Sequence, residues 1–311
     1  MSRAENQISR GQESSPESRN GGERSATSKS SDKKIPSWVI FVILTIYASA
    51  GFLGAILTPQ YKAAGMQAFK NPENVGNSIV YFIAILVFTG IVLVLSKYKS
   101  FLRAMLYFIV LISCYYTFYP FLGLFGIIPS VAIVVALVKR PSWLSVDIAA
   151  YFLSIGVISI FGISLAPIPA MVLMLVLAVY DAISVYKTKH MLTLAESITD
   201  ISVPMLFIIP VSRTFSIEDM KVDVKDEKRE RKAVFLGVGD IVIPNILVAS
   251  AQRFVQSPTF LGLKIPAWLA LLGGMLGLTL LLTKFADKPQ AGLPFLNVPT
   301  IIGFLVGVLA L

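Results

Sequence analysis

Hydrophobic residues along this chain come in unbroken runs close to twenty residues long, separated by short polar stretches, rather than in the stripes of an amphipathic helix. Runs of that length suit a bilayer core of about 30 Å at about 1.5 Å per helical residue. Nine spans follow, at about 36–57, 77–95, 101–118, 121–138, 146–165, 167–186, 233–251, 265–283 and 293–311. Two boundaries rest on proline, which favours a break where a run is too long for one crossing. The uncharged stretch between Arg103 and Lys139 divides at Tyr119-Pro120, and the run 148–186 divides at Ala166-Pro167-Ile168-Pro169. The pattern predicts an all-α polytopic membrane protein with nine transmembrane helices.

Between and before the spans the chain is polar. Residues 1–34 are rich in Ser, Gly, Asn, Glu and Arg and predict a disordered tail. That tail lacks the apolar core of a signal peptide, so the first span has to direct insertion. Spans one to six occupy 35–186, a long connection runs from 187 to 232, and spans seven to nine occupy 233–311. An apolar patch in the connection, Ile201 to Val211, is too short to cross at 11 residues and reads as a re-entrant or interfacial segment. It adjoins both spans that carry the acids discussed below, which predicts a role in gating or guiding a substrate from the lipid. Glu218 to Lys232, with six acids and six bases, reads as a solvated loop or frayed helix.

Charge sets the orientation. Of the 27 Lys and Arg, 23 fall on the side of the N-terminus and 4 on the other. The positive-inside rule therefore expects the N-terminus in the cytoplasm and the C-terminus outside. A net charge of +9 in a soluble protein would raise nucleic acid as a partner, but here topology accounts for it, and no nucleic-acid partner is expected. The single cysteine, Cys114, lies in an apolar run, which leaves packing rather than a disulfide framework or thiolate cluster.

Only two of the 18 acids, Asp181 and Asp240, lie well inside spans. A charge near the bilayer centre costs about 2.5–3.5 kcal/mol even on a lenient scale, so each is a functional candidate. Asp147, at the edge of span five, reads as an interface residue. Asp181 is six residues before Lys187 and Asp240 eight after Lys232, which puts them about 9 and about 12 Å from the same membrane face on consecutive antiparallel helices. Facing carboxylates cannot both ionise cheaply, so one holds a proton while the other stays charged. Such a coupled pair can activate water and protonate a carbonyl or leaving nitrogen. Intramembrane acids serve equally in a proton- or cation-linked transporter, a leak channel or a buried polar contact, and the two acids alone leave those readings open.

Flanking residues tilt the balance. Gly237 and Gly239, on either side of Val238, leave backbone bare just before Asp240, where another backbone can come close. A membrane peptide must be unwound and held extended before its carbonyls can be attacked. Gly292-Leu293-Pro294-Phe295-Leu296-Asn297-Val298-Pro299 opens span nine at the same level, and its prolines can free backbone groups for such a peptide. The same run also fits a helix start with proline in its first turn. Gly273-Gly274-Met275-Leu276-Gly277 and Gly303 to Gly307 have the spacing of closely packed transmembrane helices.

Tyr180-Asp181, then Gly237-Val238-Gly239-Asp240, then Leu293-Pro294-Phe295-Leu296, in span order, resemble the YD, GxGD and PAL motifs of the presenilin and signal peptide peptidase type of intramembrane aspartyl proteases. The resemblance implies an endopeptidase that cuts transmembrane segments with Asp181 and Asp240 as its catalytic pair. It implies that Tyr180, Gly237, Val238, Gly239, Leu293, Pro294, Phe295 and Leu296 meet the substrate. Phe295 departs from the alanine of the family. The run Ile241-Val242-Ile243-Pro244 looks closer to signal peptide peptidase, whereas the charge bias gives presenilin's orientation. The compact chain is similar to microbial homologues, which implies single-span or signal-peptide substrates, the cell membrane as its location if prokaryotic, and action without accessory subunits; homo-oligomerisation stays open. No cofactor or metal is expected, since HExxH is absent. Gly162-Ile163-Ser164-Leu165-Ala166 faintly resembles a rhomboid serine motif, but the single histidine, His190, falls in a charged loop.

Overall fold

The computed structural model describes residues 35–95, 98–188, 206–211, 215, 233–285 and 290–311, all within one compact unit. The tail 1–34 and most of the connection 187–232, including the charge run 218–232, lie outside the described residues. Helices dominate. Among the described residues, seven stretches are long and apolar enough to cross a membrane, one of them the 40-residue run Ser100–Lys139.

In chain order, α1 is Ser37–Ile56, α2 is the short Thr58–Ala63 and α3 is Gly76–Leu95. Helix α4, Lys99–Leu122, is joined to α5, Ile127–Lys139, by a 3-10 turn at Gly123–Gly126. The break falls after the expected Tyr119-Pro120: α4 runs through Pro120 and stops where Gly123 takes a φ of +54°. One proline removes a single hydrogen bond from a helix, whereas a left-handed residue ends it. Helix α6, Trp143–Ser164, begins three residues before the expected span, because Ser142 and Ser145 cap it reciprocally at 3.0 and 3.1 Å. Helix α7, Pro167–Ile183, starts on a proline at its first position, where the missing N–H costs nothing.

The largest departure lies at the seventh span. Residues 233–237 are not helical but form a strand, β2 (Ala233–Gly237), paired antiparallel with β1 (Leu206–Pro210). The register sets Leu206 opposite Gly237 and Pro210 opposite Ala233. Part of the apolar patch is therefore a strand, with Phe207, Ile208 and Ile209 buried. Pairing satisfies backbone groups that hydrocarbon would leave bare, and the β-branched and aromatic Val234 and Phe235 favour it. Helix α8, Val238–Phe254, follows β2 without a linker.

Helix α8 is the hub: α1, α6, α7, and the two C-terminal helices α9 (Ile265–Lys284) and α10 (Gly292–Leu309) all pack on it. Its residues from Asn245 to Ala251 are buried without interruption, as expected of a helix enclosed on every side. A small hairpin, β3 (Thr259–Phe260) and β4 (Leu263–Lys264), joins α8 to α9. The glycines on α9 and α10 act as their spacing predicts. Gly273 lies against the Pro299 carbonyl, Gly277 against that of Phe295 and Gly303 against that of Leu269, each too close for a side chain. Polar side chains tie other helices together: Ser159 Oγ donates to the Gly54 carbonyl, Ser250 Oγ to Leu165 and Asn297 Nδ2 to Met174. Cys114 is buried among apolar residues.

Candidate active site

Both intramembrane acids sit at helix ends. Asp181 is the third residue from the end of α7, and Asp240 the third residue of α8. Counting Asp240's distance along a helix from Lys232 therefore understates it, because five of the intervening residues are strand, which rises about 3.3 Å per residue against about 1.5 Å in a helix. The two carboxylates face one another closely enough to interact electrostatically. They also meet at a common third element, the first turn of α10.

That turn explains how the acids are held. The Leu293 N–H donates to Asp181 Oδ2 at 3.0 Å, and the Gly292 N–H also reaches this carboxylate. These are first-turn amides with no partner inside their own helix, and they lie at the positive end of its dipole. Asp240 is held in the same manner by its own helix. Gly237 is the N-cap of α8, and its N–H donates to the Asp240 carboxylate from three residues back, the acidic half of a capping box. A Cβ on Gly292 would meet Asp240 Oδ1 at 3.0 Å, so glycine is what lets α10 approach Asp240. Gly292 did not stand out in the motif itself; its signal was only that it precedes Leu293.

The other motif residues divide into two groups. Gly237 and Gly239 open the approach to Asp240: Gly239 is exposed, and nothing closer than Ile243 Cδ1 at 3.8 Å would meet a side chain there. Val238, Leu293 and Leu296 are buried and pack in the core. Leu293-Pro294-Phe295-Leu296 is not the irregular segment the prolines allowed but the start of a regular helix, whose free groups are amides pointing at Asp181. The Phe295 ring packs on Phe285 of α9, with centroids 4.6 Å apart, and its carbonyl lies on Gly277. Tyr180 turns the other way, edge-on to Phe82 of α3 at 6.0 Å. It lines an apolar groove of about 380 Å³ between α3 and α7 with Leu175, Val176, Val179 and Ile183. Asp181 is 4% exposed and Asp240 half-buried, so the opening lies on the Asp240 side.

Three residues outside the motifs bear on the site. Tyr186 donates its hydroxyl to Gln290 Oε1 at 2.5 Å, fastening the end of the Asp181 segment to the entry of α10. Asp147 Oδ1 accepts the Ile208 N–H at 2.7 Å, so this acid holds β1 rather than facing water alone. Ser164 accepts the Ala68 N–H and packs as a structural hydroxyl. Among the described residues no group of three His, Cys, Asp or Glu could hold a metal.

Comparison with known proteins decides the class. The family model for signal-peptide peptidase and presenilin aspartyl proteases matches residues 39–311. The chain belongs to that family. Two solved structures, each titled as a presenilin family intramembrane aspartate protease in a different crystal form, are similar to it at 31% and 32% identity. Both superpose with a TM-score of 0.63 and cover 89% of this chain and 100% or 99% of their own. No curated protein matched the sequence. The protein is thus an intramembrane aspartic endopeptidase and an integral multi-pass membrane protein, and the transporter reading falls away.

Proposed function

We propose that Asp181 and Asp240 are the catalytic pair and that they hydrolyse a peptide bond of a single-span substrate at one face of the bilayer. The observation that carries this is their convergence, from two helices far apart in sequence, on the first turn of α10: Asp181 accepts the amides of Gly292 and Leu293, and Asp240 lies against the bare Cα of Gly292. Carboxylates in such a pair share one proton. The charged member takes a proton from water as its oxygen attacks the scissile carbonyl carbon, while the protonated member gives its proton to the carbonyl oxygen. Collapse of the tetrahedral intermediate breaks the C–N bond as the proton taken from water passes to the leaving nitrogen and the proton on the carbonyl oxygen returns to the carboxylate that gave it.

Strand β2 supplies a surface for the unwound peptide. Because the Ile208 N–H goes to Asp147 and the Gly237 N–H to Asp240, residues of this parity point away from the β1–β2 ladder. The opposite Phe235 then presents its N–H and C=O on the outer edge of β2, two residues before Gly237. An extended substrate can add there as a further strand, running toward Gly239 and Asp240. The apolar groove beside Tyr180 offers a lipid-facing approach, and β1 guides the peptide by fixing β2. Gly237 and Gly239 leave it room, while Val238 and the Leu293–Leu296 turn form the wall behind the acids.

The nine-span arrangement fits this reading. Helices α1 and α3–α10 correspond to the nine apolar runs, and the loop charge supports an N-terminus and dyad on the cytoplasmic side. Asp181, Asp240 and the amides of Gly292 and Leu293 all belong to this one chain, which favours action without accessory subunits. The test is cleavage of a single-span substrate in liposomes by Asp181→Asn and Asp240→Asn. Each loses activity by about 100-fold to 10,000-fold; cleavage at the wild-type rate in Asp240→Asn sinks the assignment.

A further inference from the structure

One intramembrane acid has no part in the dyad. Asp147 is the fifth residue of α6, in a stretch that is apolar for the two turns beyond it. An acid placed there carries a desolvation cost that demands a use. It lies in the wall of a cavity of about 940 Å³ between α1, α6 and β1, together with Trp38, Trp143, Tyr151, Phe207 and Phe215, and among the described residues it is the only charged one lining it. Its one hydrogen bond among the described residues is the 2.7 Å bond from the Ile208 N–H, a length typical of a charge-assisted bond.

The position of that bond in the ladder gives it leverage. Ile208 is the central residue of β1 and stands opposite Phe235, the residue whose free backbone groups form the outer edge of β2. Asp147 closes the other edge of the two-stranded sheet, where Pro210 has no N–H to offer. Phe207, Ile208 and Ile209 of β1 are buried by apolar packing, which is non-directional, so the bond from the Ile208 N–H to Asp147 is the directional contact that fixes β1 along the strand direction. A slip of one residue would turn every side chain of β1 to the opposite face of the sheet. Downstream, β2 ends at Gly237 and α8 begins at Val238, so any shift of β2 passes to Asp240 with no intervening linker.

We infer that Asp147 is a positioning residue of the protease: by holding the Ile208 N–H it sets the register of β1 and β2, and with it which substrate bond is presented to Asp181 and Asp240. This rests on the strand-addition reading of the site given above. Asp147 touches neither substrate nor water in the reaction. Its effect is therefore on where the cut falls and on productive binding, whereas a merely structural role would change stability and leave the cut in place.

The experiment is mass spectrometry of the products of one single-span substrate, with kcat and KM, for the full chain in liposomes. In Asp147→Leu the acceptor is lost: kcat/KM falls about tenfold or more, mainly through KM, and cleavage spreads to neighbouring bonds. In Asp147→Asn an acceptor remains, and the wild-type cleavage position is kept. Should Asp147→Leu fail to fold, Ile208→Pro removes the donor without touching a ladder hydrogen bond and produces the same spread. A folded Asp147→Leu or Ile208→Pro protein with wild-type products and kcat/KM overturns the inference. Asp240→Asn, run in parallel, separates the two readings: if it still cleaves, the dyad assignment fails whatever Asp147 does. If it is dead while the Asp147 and Ile208 variants cut as wild type, only the positioning role fails.

Discussion

Gly292→Ala isolates the approach of α10 to the dyad. A Cβ at this position would stand 3.0 Å from Asp240 Oδ1, 3.3 Å from its Cγ and 3.4 Å from its Oδ2. Comfortable non-bonded separations begin near 3.5 Å, so either the carboxylate or the first turn of α10 has to retreat by roughly half an ångström. Retreat of the turn carries the neighbouring Leu293 amide with it. Its bond to Asp181 Oδ2, now 3.0 Å, would stretch past the about 3.2 Å limit of a good N–H···O bond. A hydrogen bond to a charged group contributes about 1.5–3 kcal/mol; losing most of one lowers kcat by about 10-fold to 100-fold at about 1.4 kcal/mol per tenfold.

Stability should move the other way. Gly292 opens α10, where alanine is the better helix former by up to about 1 kcal/mol. The expected result is thus an unchanged or raised Tm with a lowered kcat, and Gly292→Val should lower kcat further. Tm by fluorescence in detergent and kcat for a single-span substrate in liposomes read the two quantities separately. Wild-type kcat in both Gly292 variants would refute the claim that α10 positions the acids.

Three further outcomes follow from contacts away from the dyad. Phe295→Ala removes the ring packed on Phe285 and should cost about 0.5–1.5 kcal/mol of stability, while cleavage position stays unchanged in product mass spectra. Gly277→Leu drives a side chain into the Phe295 carbonyl and should destabilise by about 1–3 kcal/mol or more, seen as a lower Tm together with loss of cleavage. Asn297→Leu gives up the Nδ2 bond to the Met174 carbonyl but also removes a buried Oδ1 that has no partner among the described residues. Interhelical bonds of this kind average about 0.6 kcal/mol, so its Tm should shift little, and a fall equivalent to several kcal/mol would contradict this.

Much of the architecture was legible because lipid leaves the chain few options. Apolar length marks helices, and each helix from α1 to α10 except the short α2 lies on one of the apolar runs. The acids stood out for the same reason, since hydrocarbon makes a carboxylate costly wherever it has no work to do. What periodicity could not show was β2. Ala233-Val234-Phe235-Leu236-Gly237 is as apolar as the helix it precedes, and only its partner strand, 23 residues or more away in sequence, makes it a strand. Likewise the Leu293–Leu296 turn could be read as irregular or helical until its amides were seen at Asp181. Asp147's position at a span edge was visible for the same reason, but the strand it bonds was not. Tyr180 shows the limit of a motif, since adjacency to Asp181 in sequence puts its side chain about 100° around the helix, toward α3 rather than the dyad.

The arrangement also answers how a hydrolytic site can exist inside an apolar bundle. A helix interior has no free N–H to offer a carboxylate, because every amide is already bonded within the helix. Only helix ends have spare donors, and the site is built where the C-terminal turn of α7 meets the N-terminal turns of α8 and α10. In the proposed reading strand β2 extends the same logic, since one edge of its backbone is bonded to β1 and the other takes the peptide. A substrate that enters as a helix brings no free groups of its own, so it must be unwound where those free groups are. With Asp181 and Asp240 as the proposed pair, the level of the cut is set by where three helix ends and one strand edge coincide, over the stretch from Phe235 to Asp240. Moving either acid deeper into its helix would keep the carboxylate and lose the donors that hold it.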